Sequence, residues 1–362
     1  MILTIIGVIL IFGLLIFIHE FGHFITARLF KIGVNEFALG MGPAIFSHTS
    51  RKSGIKYSLR LLPIGGYVSM VGEDRLEGDD DAAAALCKRP AWQRFIVMFA
   101  GAAMNIILGF VIMTVLVLQQ DVFYGTTVEG FVYQDDNGRN YATDCNFAGN
   151  GLMVGDSIIR VGNEDIRIYD DLTFEIMRVG AEPTDITVIR VGVRTVIKDY
   201  RFPTFTDNGI VFANPNFIIP DTLDRSPLTI IHQIFMQTVS KVRMIYETLI
   251  DTISGRYGME AISGPVGTVK ILDDTVKQTK SDYRVQVILS FIMLLTINLG
   301  IMNLLPFPAL DGGRIFFILI ELIRGKPMKT EHEGYIHFVG LVVLMLFMVF
   351  VTFNDIVRLI GG

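Results

Sequence analysis

The sequence predicts an α-helical polytopic membrane protein, with four transmembrane helices and an extracytoplasmic α/β domain inserted between the second and the third. Three observations carry this prediction. The 362-residue chain is 51% hydrophobic with a mean hydropathy of +0.50, too apolar for a water-soluble globule. Four long apolar runs contain no Asp, Glu, Lys or Arg. Between the second and third runs lie about 165 residues, more than a connector needs and enough for a domain. The net charge of −5 and pI near 5.7 leave no basic field for nucleic acid, so the lipid bilayer is the expected partner surface.

The first transmembrane helix is expected within residues 1–30. Ile2 to Ile18 reads ILTIIGVILIFGLLIFI, long enough at about 1.5 Å per residue to cross most of a hydrocarbon core of roughly 30 Å. It has no basic leader and no small-residue cleavage site, so it is not expected to be a removed signal peptide. The run leads directly into His19-Glu20-Phe21-Gly22-His23. On a helix, residues four apart share a face, so both imidazoles reach one metal ion while Glu20 reaches the attacking water. Ionisable groups at membrane depth are costly and mark a functional site. His19 and His23 are therefore predicted zinc ligands, and Glu20 a general base.

Lysine and arginine near the span ends set the orientation. Arg28 and Lys31 follow the first run, Lys88, Arg89 and Arg94 precede the second, and Arg314, Arg324, Lys326 and Lys329 lie between the third and fourth. Those segments are expected in the cytoplasm, with both termini outside and His19 and His23 towards the cytoplasmic face of the plasma (inner) membrane. Residues 31–93 then form a cytoplasmic loop. Its β-like runs, KIGVNEFALGMGPAIFSH and YSLRLLPIGGYVSMVGE, are broken by Gly40, Gly42, Pro43, Pro63, Gly65 and Gly66, which suggests hairpins associated with the membrane. Such a hairpin offers an edge for an extended substrate, or is simply a structured loop. Residues 77–86 read as an acidic linker.

The second transmembrane helix is expected at 94–118, where FIVMFAGAAMNIILGFVIMTVLVL offers small residues for close helix packing. Residues 127–203 alternate strand-like runs around a helical DDLTFEIMRV, a small α/β domain. Within it, GLMVGDSIIRVGNEDI resembles the G-L-x-x-G-D-x-I-x-x-x-N-G segment of PDZ domains, with Glu164 where glycine is usual and a long polar stretch at 135–150. Residues 204–284 are expected to be a helical linker region, amphipathic over 228–253. Cys87 and Cys145 fall on opposite sides of the membrane in this scheme, so no disulfide is expected.

The third helix is expected at 285–305, a cytoplasmic loop at 306–334 and the fourth helix at 335–360. A catalytic zinc site needs a third protein ligand and an open position. Asp311, in NLLPFPALDGGR, emerges at the cytoplasmic end of the third span, at the level of His19 and His23, and is the best candidate. His48, His232, His332 and His337 are expected to be ordinary.

Taken together, HEFGH, GGYVSMVGE, RPAWQRFIVMFAGAAMN, ISGPVG at 262–267 and the N-x-x-P-x-P-x-L-D-G run at 303–312 resemble the bacterial site-2 proteases, closest to the regulator of sigma E protease. The resemblance implies a zinc intramembrane endopeptidase that cuts within transmembrane segments of single-span proteins, such as anti-sigma factors or signal-peptide remnants. It assigns zinc binding to His19, His23 and Asp311, the catalytic base to Glu20 and substrate contact to Asn303. The family often has A-G-P where this chain has Ala100-Gly101-Ala102, a departure expected to lie away from the metal site. Two other readings compete. An inactive membrane PDZ scaffold needs none of these side chains, and a zinc transporter needs polar residues along its spans, of which the second and fourth have almost none.

Overall fold

The computed structural model describes residues 2–72, 84–134, 140–143, 151–207, 210–256, 264–326 and 330–361. Most of the acidic linker, most of the polar stretch at 135–150, Cys145 and the start of ISGPVG lie outside the described residues. The chain divides into two compact units, Met1–Ile112 with Ile245–Gly362, and Met113–Met244.

The first unit is built on helices α1 (Ile2–Leu29), α2 (Ala91–Gln119), α6 (Arg284–Asn303) and α8 (Thr330–Gly361). They contain four segments long and apolar enough to cross a membrane: Ile6–Leu29, Ala91–Gln119, Ser281–Asn303 and His332–Val357. The 29 residues of α2 span about 43 Å at 1.5 Å each, comfortably more than a hydrocarbon core. On α8, Phe338, Leu346, Val349 and Phe353 are each at least 64% exposed. An apolar belt of that kind suits the hydrocarbon of a membrane. The protein is an integral membrane protein.

Two shorter helices complete this unit. Helix α5 (Pro265–Gln278) starts on a proline whose missing N–H costs nothing at that position. Its exposed first-turn donors are met by the buried Asp355 of α8, which accepts the N–H groups of Gly264 at 3.2 Å and Gly267 at 2.8 Å. Helix α7 (Asp311–Arg324) occupies a stretch read from the sequence as a loop. Its Gly325 cap adopts a left-handed φ of 67° and donates to the Glu321 carbonyl, while Ile318 is buried on one face.

Between α1 and α2, strands β1 (Val34–Thr49) and β2 (Lys56–Met70) form a curled antiparallel hairpin. Residues 36–39 of β1 pair with both 56–59 and 66–69 of β2, because bulges around Gly40 and Gly42, each at a positive φ, fold the strands over on themselves. Among the described residues, Gly66–Met70 pairs on one side only and forms an edge.

The second unit holds a seven-stranded sheet. It runs β11 (Ile218–Leu223), β3 (Phe123–Gln134), β5 (Ser157–Val161), β7 (Thr184–Arg190) and β8 (Val193–Tyr200), with β4 (Asn140–Thr143) on β3 and β6 (Glu164–Asp165) on β5. Strands β9 (Thr204–Asp207) and β10 (Ile210–Ala213) make a separate hairpin. The sheet and helix α3 (Tyr169–Val179) enclose Ile158, Leu172, Ile176, Ile186 and Tyr200. The expected helical region at 204–284 is corrected at its start: residues to 223 are strand, and β11 pairs antiparallel with β3. Helix α4 (Pro227–Ile253) follows, and its interspersed charges meet the acidic face of α3: Lys241 reaches Asp170 at 2.8 Å, Arg243 reaches Glu175 at 2.5 Å and Ser240 donates to Asp171 at 2.6 Å. The turn before β5 explains its Gly-Asp pair. Gly155 takes a φ of +89°, and the buried Asp156 accepts the Met153 N–H and binds Arg190 through both carboxylate oxygens.

Candidate metal centre

The apolar run of α1 brings His19 and His23 to successive turns of one helical face, with ring centroids 4.9 Å apart. Asp311 is the first residue of α7, and the turn from Leu304 to Leu310 carries it back from the end of α6 to those rings. His19 Nε2 and His23 Nε2 are 3.3 Å apart, and Asp311 Oδ2 lies 3.0 Å from the first and 3.1 Å from the second. A tetrahedral zinc site with bonds of about 2.0 Å requires ligand atoms about 3.3 Å apart. Two imidazole nitrogens and one carboxylate oxygen are an ordinary zinc donor set, so these residues fit the ion in chemistry and in spacing.

The surroundings orient the rings. His23 Nδ1 lies 2.8 Å from the Val97 carbonyl of α2. An N–H there leaves Nε2 as the lone pair directed at the shared point. His19 Nδ1 is approached by two amides, Asn105 of α2 at 3.4 Å and Asn303 of α6 at 3.5 Å. Asn105 is wholly buried, and among the described residues its side-chain oxygen has no partner. Turning that amide over gives the oxygen the His19 Nδ1–H and frees His19 Nε2 for a metal. The buried Thr296 donates to the Asn105 carbonyl at 3.0 Å and ties α6 to the same place.

A cavity of about 390 Å³ opens beside the three donor atoms. Glu20 lines it together with Tyr67 and Val68 of the β2 edge, Arg314 of α7 and His337 of α8. Gly66 of that edge lies against Glu20, where a Cβ would come within 2.9 Å of Glu20 Cγ. His19, Glu20 and His23 are each at most 9% exposed, so these side chains are held largely out of bulk solvent at the cavity wall.

Four of the five residues singled out from the sequence, His19, Glu20, His23 and Asp311, border this one cavity; the fifth, Asn303, lies behind His19. The Ala100-Gly101-Ala102 segment, expected to be remote, is not: a Cβ on Gly101 would fall 2.7 Å from His23 Cε1 and 2.8 Å from His19 Cε1. His337, expected to be ordinary, lines the cavity. Asn105 is a further residue at the site that the sequence motifs do not mark. Its one signal in the sequence is an amide in the middle of an apolar span, where an unsatisfied polar group is expensive.

Comparison with known proteins gives a consistent result. The description "Peptidase family M50" matches residues 7–347. A protein of Fusobacterium nucleatum named as a candidate zinc metalloprotease is 31% identical, covering 99% of both chains. The zinc metalloprotease RasP of Bacillus licheniformis is 31% identical and the regulator of sigma-W protease RasP of Bacillus subtilis 30% identical, each match covering 98% of this chain and 99% of the relative. The chain belongs to peptidase family M50, the site-2 family of zinc-dependent membrane proteases.

Proposed function

We propose that this protein is an intramembrane endopeptidase in which His19, His23 and Asp311 hold zinc, Glu20 moves the protons and the substrate is a membrane-spanning segment of a single-span protein. The observation that carries the reading is the convergence of two imidazole nitrogens and a carboxylate oxygen within 3.3 Å of one another, beside Glu20. When bound, zinc supplies Lewis acidity to the attacking water and to the scissile carbonyl. Glu20 takes the proton of the attacking water and passes it to the leaving amine, which must depart neutral. Its low exposure limits competition from bulk solvent for that proton.

A peptide bond inside a helix is shielded by its own turns, so the substrate must be extended before it is cut. The Gly66–Met70 edge lines the cavity and can receive an unwound segment by strand addition. Asn303, beside His19, supplies a further polar contact to that segment. The name of the Bacillus subtilis relative favours anti-sigma factors as substrates, with signal-peptide remnants of the same single-span chemistry as the other class. The lysine and arginine distribution favours both termini outside the cytoplasm, with the centre near the cytoplasmic face. The inserted sheet domain is then extracytoplasmic, and its Gly155-Asp156 turn supports a PDZ-type module that selects substrates already shortened outside the membrane.

The direct test is Glu20→Gln. The substitution removes the proton carrier and leaves the donors in place, so purified protein should keep its zinc while cleavage of a single-span substrate falls by about 10² to 10⁴. Near-normal cleavage by this variant excludes Glu20 from the chemistry.

A further inference from the structure

We infer that His337 of α8 is a positioning residue for the metal centre, holding the turn that delivers Asp311. The inference rests on the reading of Asp311 as a ligand. His337 Nδ1 accepts the Ala309 N–H at 2.9 Å. A neutral ring with its proton on Nε2 is the form that makes this bond.

Ala309 lies two residues before Asp311 and has a φ of +75°. A residue with a Cβ adopts that conformation at a cost of about 1–2 kcal/mol, so its surroundings must hold it there. Within the turn itself, Phe307 donates to Leu305 at 2.6 Å and Leu310 donates to Phe307 at 3.2 Å. The partner for Ala309 comes from outside the turn, 28 residues further along the chain.

Two further contacts place the same face of α8 on this turn. Gly340, one helical turn beyond His337, packs so closely on Pro308 that a Cβ would lie 2.7 Å from the Pro308 carbonyl oxygen. The His337 ring also meets Phe317 of α7 edge-on, with centroids 5.4 Å apart. α8 therefore grips both the turn before Asp311 and the helix that begins with it. Otherwise α8 is thinly packed: only 11% of its apolar window is buried. Its hold on the Asp311 turn is consequently local, and His337 supplies the directional part of it. The ring also borders the cavity beside the donors.

The test compares zinc retention by full-length purified protein against a competing chelator, together with the visible spectrum of the cobalt-substituted protein, for four variants. His337→Ala loses the acceptor, and His337→Phe keeps a ring against Phe317 but also loses it. His337→Asn places an amide oxygen near the Nδ1 position. Asp311→Ala removes the ligand itself. Zinc affinity should fall about 10- to 100-fold in the Ala and Phe variants, the usual effect of losing a residue that orients a ligand, with an altered cobalt spectrum. The Asn variant should recover most of the loss and the native spectrum. Unchanged affinity and spectrum in His337→Ala or in His337→Phe, or failure of His337→Asn to recover either readout, overturns the inference. Full zinc retention by Asp311→Ala overturns the ligand assignment instead, so the two failures are distinguishable.

Discussion

Gly101 decides how closely α2 can approach the two histidines. A Cβ there would lie 2.7 Å from His23 Cε1 and 2.8 Å from His19 Cε1. Gly101→Ala therefore forces the rings off their shared point or the helices apart. Overpacking of this kind costs about 1–3 kcal/mol, and displaced ligands weaken a metal further. Purified Gly101→Ala should contain clearly less than one zinc per chain and melt at a lower temperature; a wild-type zinc content would show that α2 yields without disturbing the rings. The juxtaposition of His19 and His23 was legible in the sequence because an i, i+4 pair of histidines projects from one face whatever the tertiary fold. The residues that support them were not. Gly101, Asn105 and His337 acquire their roles only when α2 and α8 pack on the site, and no local pattern marks that packing.

At the scale of the element, the β1–β2 hairpin carries its own polar lock. Glu36 is partly buried, which alone would push its carboxyl up. Hydrogen bonds from Ser58, Tyr67 and Arg60, with Lys56 nearby, outweigh burial and hold it at about 2, against an ordinary 4.5. A lowered folded-state value means that the contribution to stability is present above about pH 4.5 and is lost as pH falls towards 2. Tyr67 belongs to both the lock and the cavity wall, so loosening Glu36 loosens the proposed substrate edge. Glu36→Gln should lower thermal stability at neutral pH and flatten its dependence between about pH 4.5 and 2.5 relative to wild type. An unchanged slope in that window assigns the acid sensitivity to another group. The hairpin was legible from its glycines and prolines, and the four spans from uninterrupted apolar composition. Helix α7 and strand β11 were not. The first follows a proline-rich turn with two glycines that reads as loop, and the second is a strand only because it pairs with residues about ninety positions earlier.

For the whole molecule, the membrane spans serve to bring together groups remote in sequence. His23 and Asp311 are 288 residues apart and meet across 3.1 Å. Among the described residues, every one lining the cavity belongs to the first unit. About 17 apolar residues precede His19, placing it some 25 Å along the 28-residue helix α1, just past the midpoint towards the end proposed to face the cytoplasm. On the proposed orientation, a substrate cut at this centre is cut inside its own span, on the cytoplasmic side of the midplane. The most direct measurement is mass spectrometry of the products formed when the purified protein, reconstituted in liposomes, meets a single-span substrate. The expected result is one new terminus within the cytoplasmic half of the apolar span, absent with Glu20→Gln and after removal of zinc. A cut outside the span, or one that persists in zinc-free protein, would contradict the assignment of the reaction to His19, Glu20, His23 and Asp311.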